Sequence, residues 1–111
     1  MCDSLKNIIQ EFDLRFTEMC QEHRMVDALS KQREMLRILD SLVFKLNYKI
    51  KLQDSFKAIC YFEKAYKQLC YLNLNTKNHI ESQYLQQNTQ ILVKIKNIIS
   101  IMSTIKYSTA A

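Results

Sequence analysis

The 111-residue chain contains no glycine and no proline, while 48% of its residues are hydrophobic and 24% are charged. Tight hairpin turns depend heavily on glycine, so this composition argues against a β-sandwich or a doubly wound α/β fold. It also excludes glycine-rich phosphate loops, dinucleotide-binding loops and the nucleophile elbow of hydrolases, because each needs a close backbone approach.

The formal net charge is +5, and it is unevenly distributed along the chain. Residues 1–53 are nearly neutral, whereas residues 54–111 carry seven lysines against three acids, Asp54, Glu63 and Glu81. Such an excess can attract nucleic acid or an acidic partner. A solvated lysine surface is the simpler interpretation, and a nucleic-acid-associated helical protein using the lysine-rich second half is the main alternative.

Four cysteines occur at widely spaced positions, namely Cys2, Cys20, Cys60 and Cys70. None belongs to a C-x-x-C pair, and their spacings match no common zinc motif. All four thiols are predicted to be reduced because the sequence shows no secretory signal, and Cys60 is predicted to pack inside the protein, so that Cys60→Ala should cost stability. No apolar signal-peptide core is visible, and no run approaches about 18 apolar residues. These features predict an intracellular protein, cytoplasmic or nuclear, without a membrane span.

The first half of the chain has a helical apolar period. A first stripe consists of Leu5, Ile8, Phe12, Phe16 and Met19, preceded by the possible caps Asp3 and Ser4. A second stripe consists of Leu29, Gln32, Leu36, Leu39, Val43, Leu46 and Ile50, with Gln32 as its one polar member. Asp27 and Ser30 could cap a new helix, but nothing between Gln21 and Ser30 forces a break. The pattern therefore fits either a single helix from Ser4 to about Gln53 or two separate helices.

Two further helices are predicted in the second half. Asp54 and Ser55 are plausible caps for a helix that carries Ile59, Phe62, Tyr66 and Leu69. Residues 73–78 favour a loop, and the last helix carries Ile80, Tyr84, Ile91, Ile95, Ile98, Met102 and Ile105. The sequence thus predicts a single all-α domain over 1–111, a three- to four-helix antiparallel bundle. Such a bundle could include an extended coiled-coil-like hairpin.

One short stretch resembles a tetratricopeptide repeat. Ala58, Phe62 and Ala65 have the spacing of the second helix of such a repeat, and the letters YFEKA are similar to that family. The preceding helix lacks the matching pattern, Cys70 stands at the usual proline position, and no repeat of about 34 residues is present. Small residues at this spacing also serve any close helix crossing, so no family is assigned.

The chemistry-bearing residues do not form a recognisable catalytic or metal motif. Cys20 and His23 share a helix face and could begin a zinc site with Cys60 or Cys70, although structural zinc sites normally use tighter spacings. The only other histidine is His79, and neither histidine lies in a nucleophile motif. No catalytic residue, metal, cofactor or small-molecule substrate is predicted, and a cysteine-dependent enzyme is the remote alternative.

The last helix carries two apolar ridges. Ile91, Ile98 and Ile105 continue Tyr84 at seven-residue steps, and Leu85, Leu92 and Ile99 form the ridge beside them. One ridge is predicted to close the core and the other to contact a partner or a second copy. The residues predicted to form the interface are Leu85, Leu92, Ile95, Ile99 and Met102. The predicted function is a non-catalytic protein–protein interaction module, a small subunit or adaptor of a larger complex.

Overall fold

A computed structural model describes residues 5–46, 52–75 and 82–110. Over these ranges the chain forms four helices, namely α1 (Leu5–Gln21), α2 (Met25–Leu46), α3 (Leu52–Asn75) and α4 (Ser82–Ala110). The predicted all-α helical bundle is therefore confirmed. None of the helices in the described ranges is long and apolar enough to cross a membrane.

The helices form two hairpins that pack side by side. Within each hairpin, α1 with α2 and α3 with α4, the two helices run antiparallel. Between the hairpins the neighbouring helices run parallel: Leu29 of α2 lies beside Gln87 of α4, and farther along Asp40 lies beside Lys94. The order around the bundle is α1, α2, α4, α3, and the contact between α1 and α3 is the smallest of the four.

The first half of the chain contains two helices rather than one. α1 ends at Gln21 and α2 begins at Met25. The carbonyl of Arg24 accepts hydrogen bonds from the amides of Asp27 and Ala28, both at 3.1 Å, so Arg24 occupies the N-cap position. Asp27 lies in the first turn, where a carboxylate interacts favourably with the helix dipole.

The core is built from one apolar stripe of each helix. Phe12 of α1 and Phe62 of α3 are fully buried, with their ring centroids 5.6 Å apart in an edge-to-face arrangement. Ala58 and Ala65, the small residues of α3, are also buried, which allows neighbouring helices to approach closely. On α4 the core is formed by Ile91, Ile95, Ile98 and Met102.

The placement of the cysteines corrects one prediction. Cys60 is exposed, because α3 buries Ala58, Phe62, Ala65 and Leu69, and Cys60 lies about 200° around the helix from both Ala58 and Phe62. The predicted packing role of Cys60 is wrong, and so is the stability loss expected from Cys60→Ala. Free thiols occur at Cys20, Cys60 and Cys70, and Cys2 lies outside the described residues.

A buried amide cluster joins α2 to α4. Gln32 Nε2 donates to Asn88 Oδ1 at 2.7 Å and to the Tyr84 carbonyl at 3.0 Å. Gln87 Nε2 donates to Gln32 Oε1 at 2.6 Å and to the Leu29 carbonyl at 3.3 Å. Because Gln32 and Asn88 have no exposed surface, these bonds replace the water that the amides lose on folding.

Candidate partner-binding groove

A surface groove lies between the C-terminal halves of α1 and α3. It has a volume of about 550 Å³, and its eight lining residues are Phe16, Thr17, Cys20, Gln21, Lys67, Gln68, Tyr71 and Leu72. Phe16 is buried and Leu72 is half-buried, whereas the other six lining residues are exposed. Phe16 and Leu72 therefore form an apolar floor, and the other six form a solvent-exposed rim. None of the eight side chains is acidic.

Aromatic packing closes the contact between α1 and α3 on the N-terminal side of this groove. The rings of Phe12 and Tyr61 lie 6.3 Å apart, and those of Tyr61 and Phe62 lie 5.3 Å apart. The Tyr61 hydroxyl donates a 2.8 Å hydrogen bond to Asp13 Oδ1. These contacts hold the two helices together at the middle of α1, and the groove begins one turn later, at Phe16.

The environment of Tyr61 raises the pKa of its hydroxyl well above the ordinary range. Burial is the largest cause, followed by the hydrogen bond to Asp13 and the charge of that carboxylate. Above about pH 10 the unfolded chain loses this proton while the folded protein keeps it. We therefore expect the free energy of unfolding contributed by this site to be full below about pH 10 and to fall as the pH rises above it.

Urea unfolding between pH 8 and pH 11, values that bracket the ordinary tyrosine pKa of about 10, measures this effect. Tyr61→Phe should lose less stability over this interval than the wild type, and Asp13→Asn should lie between them. Burial also raises the pKa of Tyr84, so part of the fall persists in every variant. Equal slopes in the wild type and Tyr61→Phe would contradict the prediction.

Four exposed lysines lie in the groove or N-terminal to it: Lys67 in its lining, Lys64 one turn before Lys67, and Lys57 and Lys6 beyond the Phe12–Tyr61 contact. On α3, Lys57, Tyr61, Lys64, Gln68 and Tyr71 follow steps of four and three residues, so they share the face that turns towards α1. Lys67 lies in the groove lining. Lys6 lies on the same face of α1 as Asp13, two turns earlier. None of these lysines forms an ion pair with another described residue, and the Asp13 carboxylate instead accepts the hydrogen bond from the Tyr61 hydroxyl.

The opposite side of α1 is electrically balanced. Arg15 and Lys31 pair with Glu18 and Glu34 across α1 and α2, at distances from 2.8 to 3.6 Å. The hydrogen bond from Arg15 is the largest cause that lowers the pKa of Glu18, and the same bond raises the pKa of Arg15. These four charges satisfy one another, so the cations available to a partner near α1 lie on the groove side.

The cysteine and histidine residues do not form a reactive or metal-binding group in the described structure. Cys20 lies between the groove and a second pocket of about 270 Å³ at the α1–α2 bend, which His23 also lines. Burial raises the pKa of the Cys20 thiol, opposite to the shift that activates a nucleophilic cysteine. Among the described residues, no three His, Cys, Asp or Glu side chains are grouped to hold a metal ion.

The predicted interface residues of α4 divide into two groups. Ile95 and Met102 have no exposed surface and belong to the core, so their predicted partner contact is wrong for this fold. Leu85 is 36% exposed, and Leu92 and Ile99 are half-buried at the edge of the core. A partner contact through Leu85, Leu92 and Ile99 stays a prediction.

Comparison with protein-family models, with curated proteins and with solved structures finds no match for this chain. Function is therefore inferred from the surface chemistry of the fold.

Sequence reasoning missed the groove, although it noted some of its residues. The sequence shows the lysine excess of residues 54–111 and the spacing of Cys20 to His23, but neither feature indicates a groove. Apolar periodicity assigns Phe16 to the core, and the structure does bury it. The missing information was that α1 and α3 are neighbours, which no pattern within one helix reveals.

Proposed function

We propose that the protein is a non-catalytic protein-interaction module that holds a segment of another protein in the groove between α1 and α3. The observation that carries this proposal is an open groove with an apolar floor, flanked by two parallel helices. An amphipathic helix laid between them would bury its apolar side against Phe16 and Leu72. The same role suits a small subunit or adaptor of a larger complex.

The lining chemistry supports a peptide rather than a small molecule. Small-molecule sites are usually enclosed and place a few convergent polar groups around the ligand. Here the polar side chains Thr17, Gln21 and Gln68 lie on the exposed rim, while Phe16 forms the floor. Such a surface contributes mainly apolar contact area, which is how groove-bound helices gain their affinity.

A photo-crosslinking amino acid placed in the full chain tests the proposal in the native cell. We expect Thr17, in the groove lining, to give an adduct with another protein, because its side chain would lie against the bound segment. Ser41, exposed on α2, is the matched control and should give none. Leu85 is the third position and reports separately on the predicted edge of α4.

The pattern of adducts distinguishes the possible outcomes. Equal crosslinking from Thr17 and Ser41 would contradict a specific groove. An adduct from Leu85 but not from Thr17 would move the interface to α4. An adduct whose mass is twice that of the chain, together with a dimer in light scattering, would identify the partner as a second copy.

A further inference from the structure

We propose that the segment bound in the groove is an acidic amphipathic helix, an inference that rests on the proposed function. Its apolar side would contact Phe16 and Leu72, and its carboxylates would meet Lys57, Lys64 and Lys67. Charge complementarity carries the argument, since the groove lining contains Lys67 and no acid, and Lys64 and Lys57 precede Lys67 on the same helix without an ion pair to another described residue.

The spacing of the lysines fits a helical partner. Lys57 and Lys64 are seven residues apart, about 10.5 Å along α3, and Lys67 follows about 4.5 Å later. Carboxylates that repeat every three, four or seven residues along one edge of a partner helix have the same rise. A helix of about four turns would therefore reach the apolar floor and all three ammonium groups.

The same lysines are a weaker match to nucleic acid. Arginine provides the commonest base-reading contacts, and the basic face of α3 contains none. Phe16 and Leu72 offer buried apolar surface that a phosphate backbone would not use.

Selection of peptides from a random display library on the folded full-length protein tests the inference without assuming a sequence. The library holds peptides of about 20 residues, long enough for about five helical turns. We expect the enriched peptides to be net acidic, with apolar residues at helical spacing. Their affinity should fall by about tenfold or more for Lys57→Glu/Lys64→Glu/Lys67→Glu.

A matched variant separates the groove lysines from net charge. Arg33→Glu/Arg37→Glu/Lys96→Glu reverses three exposed cations elsewhere on the surface and changes the total charge equally. Its affinity for the enriched peptides should change by less than about threefold, because charges beyond a Debye length are screened. Equal losses for the two triple variants would overturn the inference.

Blocking the groove separates this inference from the proposed function. Thr17→Trp fills the groove and Ser41→Trp is its surface control. Peptides that lose binding only to Thr17→Trp but carry no acidic bias would overturn the acidic-helix inference and leave the groove function standing. If no enriched peptide depends on Thr17, the proposed function itself fails. Binding of a fluorescent DNA oligonucleotide through the three lysines, without peptide binding, would replace both with the nucleic-acid alternative.

Discussion

Ile98→Asp is expected to unfold the protein, whereas Val93→Asp on the same helix should leave it folded. Ile98 has no exposed surface and lies in the core, so an aspartate there would be a buried charge without a partner. Such substitutions cost more than about 4 kcal/mol, a large part of the stability of a domain this size. Val93 is 64% exposed, and a charge there should change stability by less than about 0.5 kcal/mol.

Circular dichroism and urea unfolding of the two variants measure this difference, and Ile99→Asp adds a test of the predicted interface. Ile99 is half-buried at the edge of the core, so its variant should stay folded while losing any partner that binds this ridge. A folded Ile98→Asp protein would contradict the assignment of that ridge to the core. If Ile99→Asp unfolds as completely as Ile98→Asp, both ridges are core and no interface exists at Ile99.

The helical class and most core positions could be predicted because they follow from local patterns. The stripe from Leu5 to Met19 is buried at every predicted position, and so is the first ridge of α4 at Ile91 and Ile98. Ile105 continues that ridge, but its side chain lies outside the described residues. These residues recur at helical spacing, so a helix that buries one of them also buries the others on the same face.

The break between α1 and α2 could also have been found, by comparing the phases of the two stripes. Neither glycine nor proline marks it, and the cap position holds Arg24, which is a poor capping residue. However, if a single helix continued through residues 22–24, the buried residues of α2 would lie roughly half a turn away from those of α1. A straight helix would then expose one stripe, and the bend lets both face one core.

The neighbours of each helix could not be predicted in the same way. Ile95 and Met102 lie between the two predicted ridges, and whether they are core or surface depends on how many helices pack against α4. Both α2 and α3 do so, which buries the whole central arc. The groove depends likewise on the parallel pairing of α1 with α3, because Phe16 and Leu72 belong to different hairpins.

The amide cluster between α2 and α4 predicts a large effect for Gln32→Leu. The substitution removes the acceptor of Gln87 Nε2 and the donor to Asn88 Oδ1, both in buried surroundings. Each polar atom stranded in this way costs about 1–3 kcal/mol, so the expected loss from the two atoms is about 2–6 kcal/mol. Leucine is apolar and suits this buried heptad position, so packing alone would tolerate it. The loss of stability therefore measures the broken hydrogen bonds rather than a change in side-chain volume.

A second substitution distinguishes a stranded partner from a lost contact. In Gln32→Leu/Gln87→Leu the Gln87 amide, one of the two amides that Gln32→Leu strands, is also gone, so the double variant should lose less stability than the sum of the two single changes. The coupling free energy from a double-mutant cycle should be between about 0.5 and 3 kcal/mol. Gln86→Leu, exposed on α4, is the surface control and should change the free energy of unfolding by less than about 0.5 kcal/mol.

Because α2 and α4 run parallel, a one-turn slip of α4 would keep apolar residues in contact but would separate Gln32 from Asn88, so the cluster specifies the register of the two hairpins. Strictly additive losses would show that Gln32 and Gln87 act independently and would contradict their coupling.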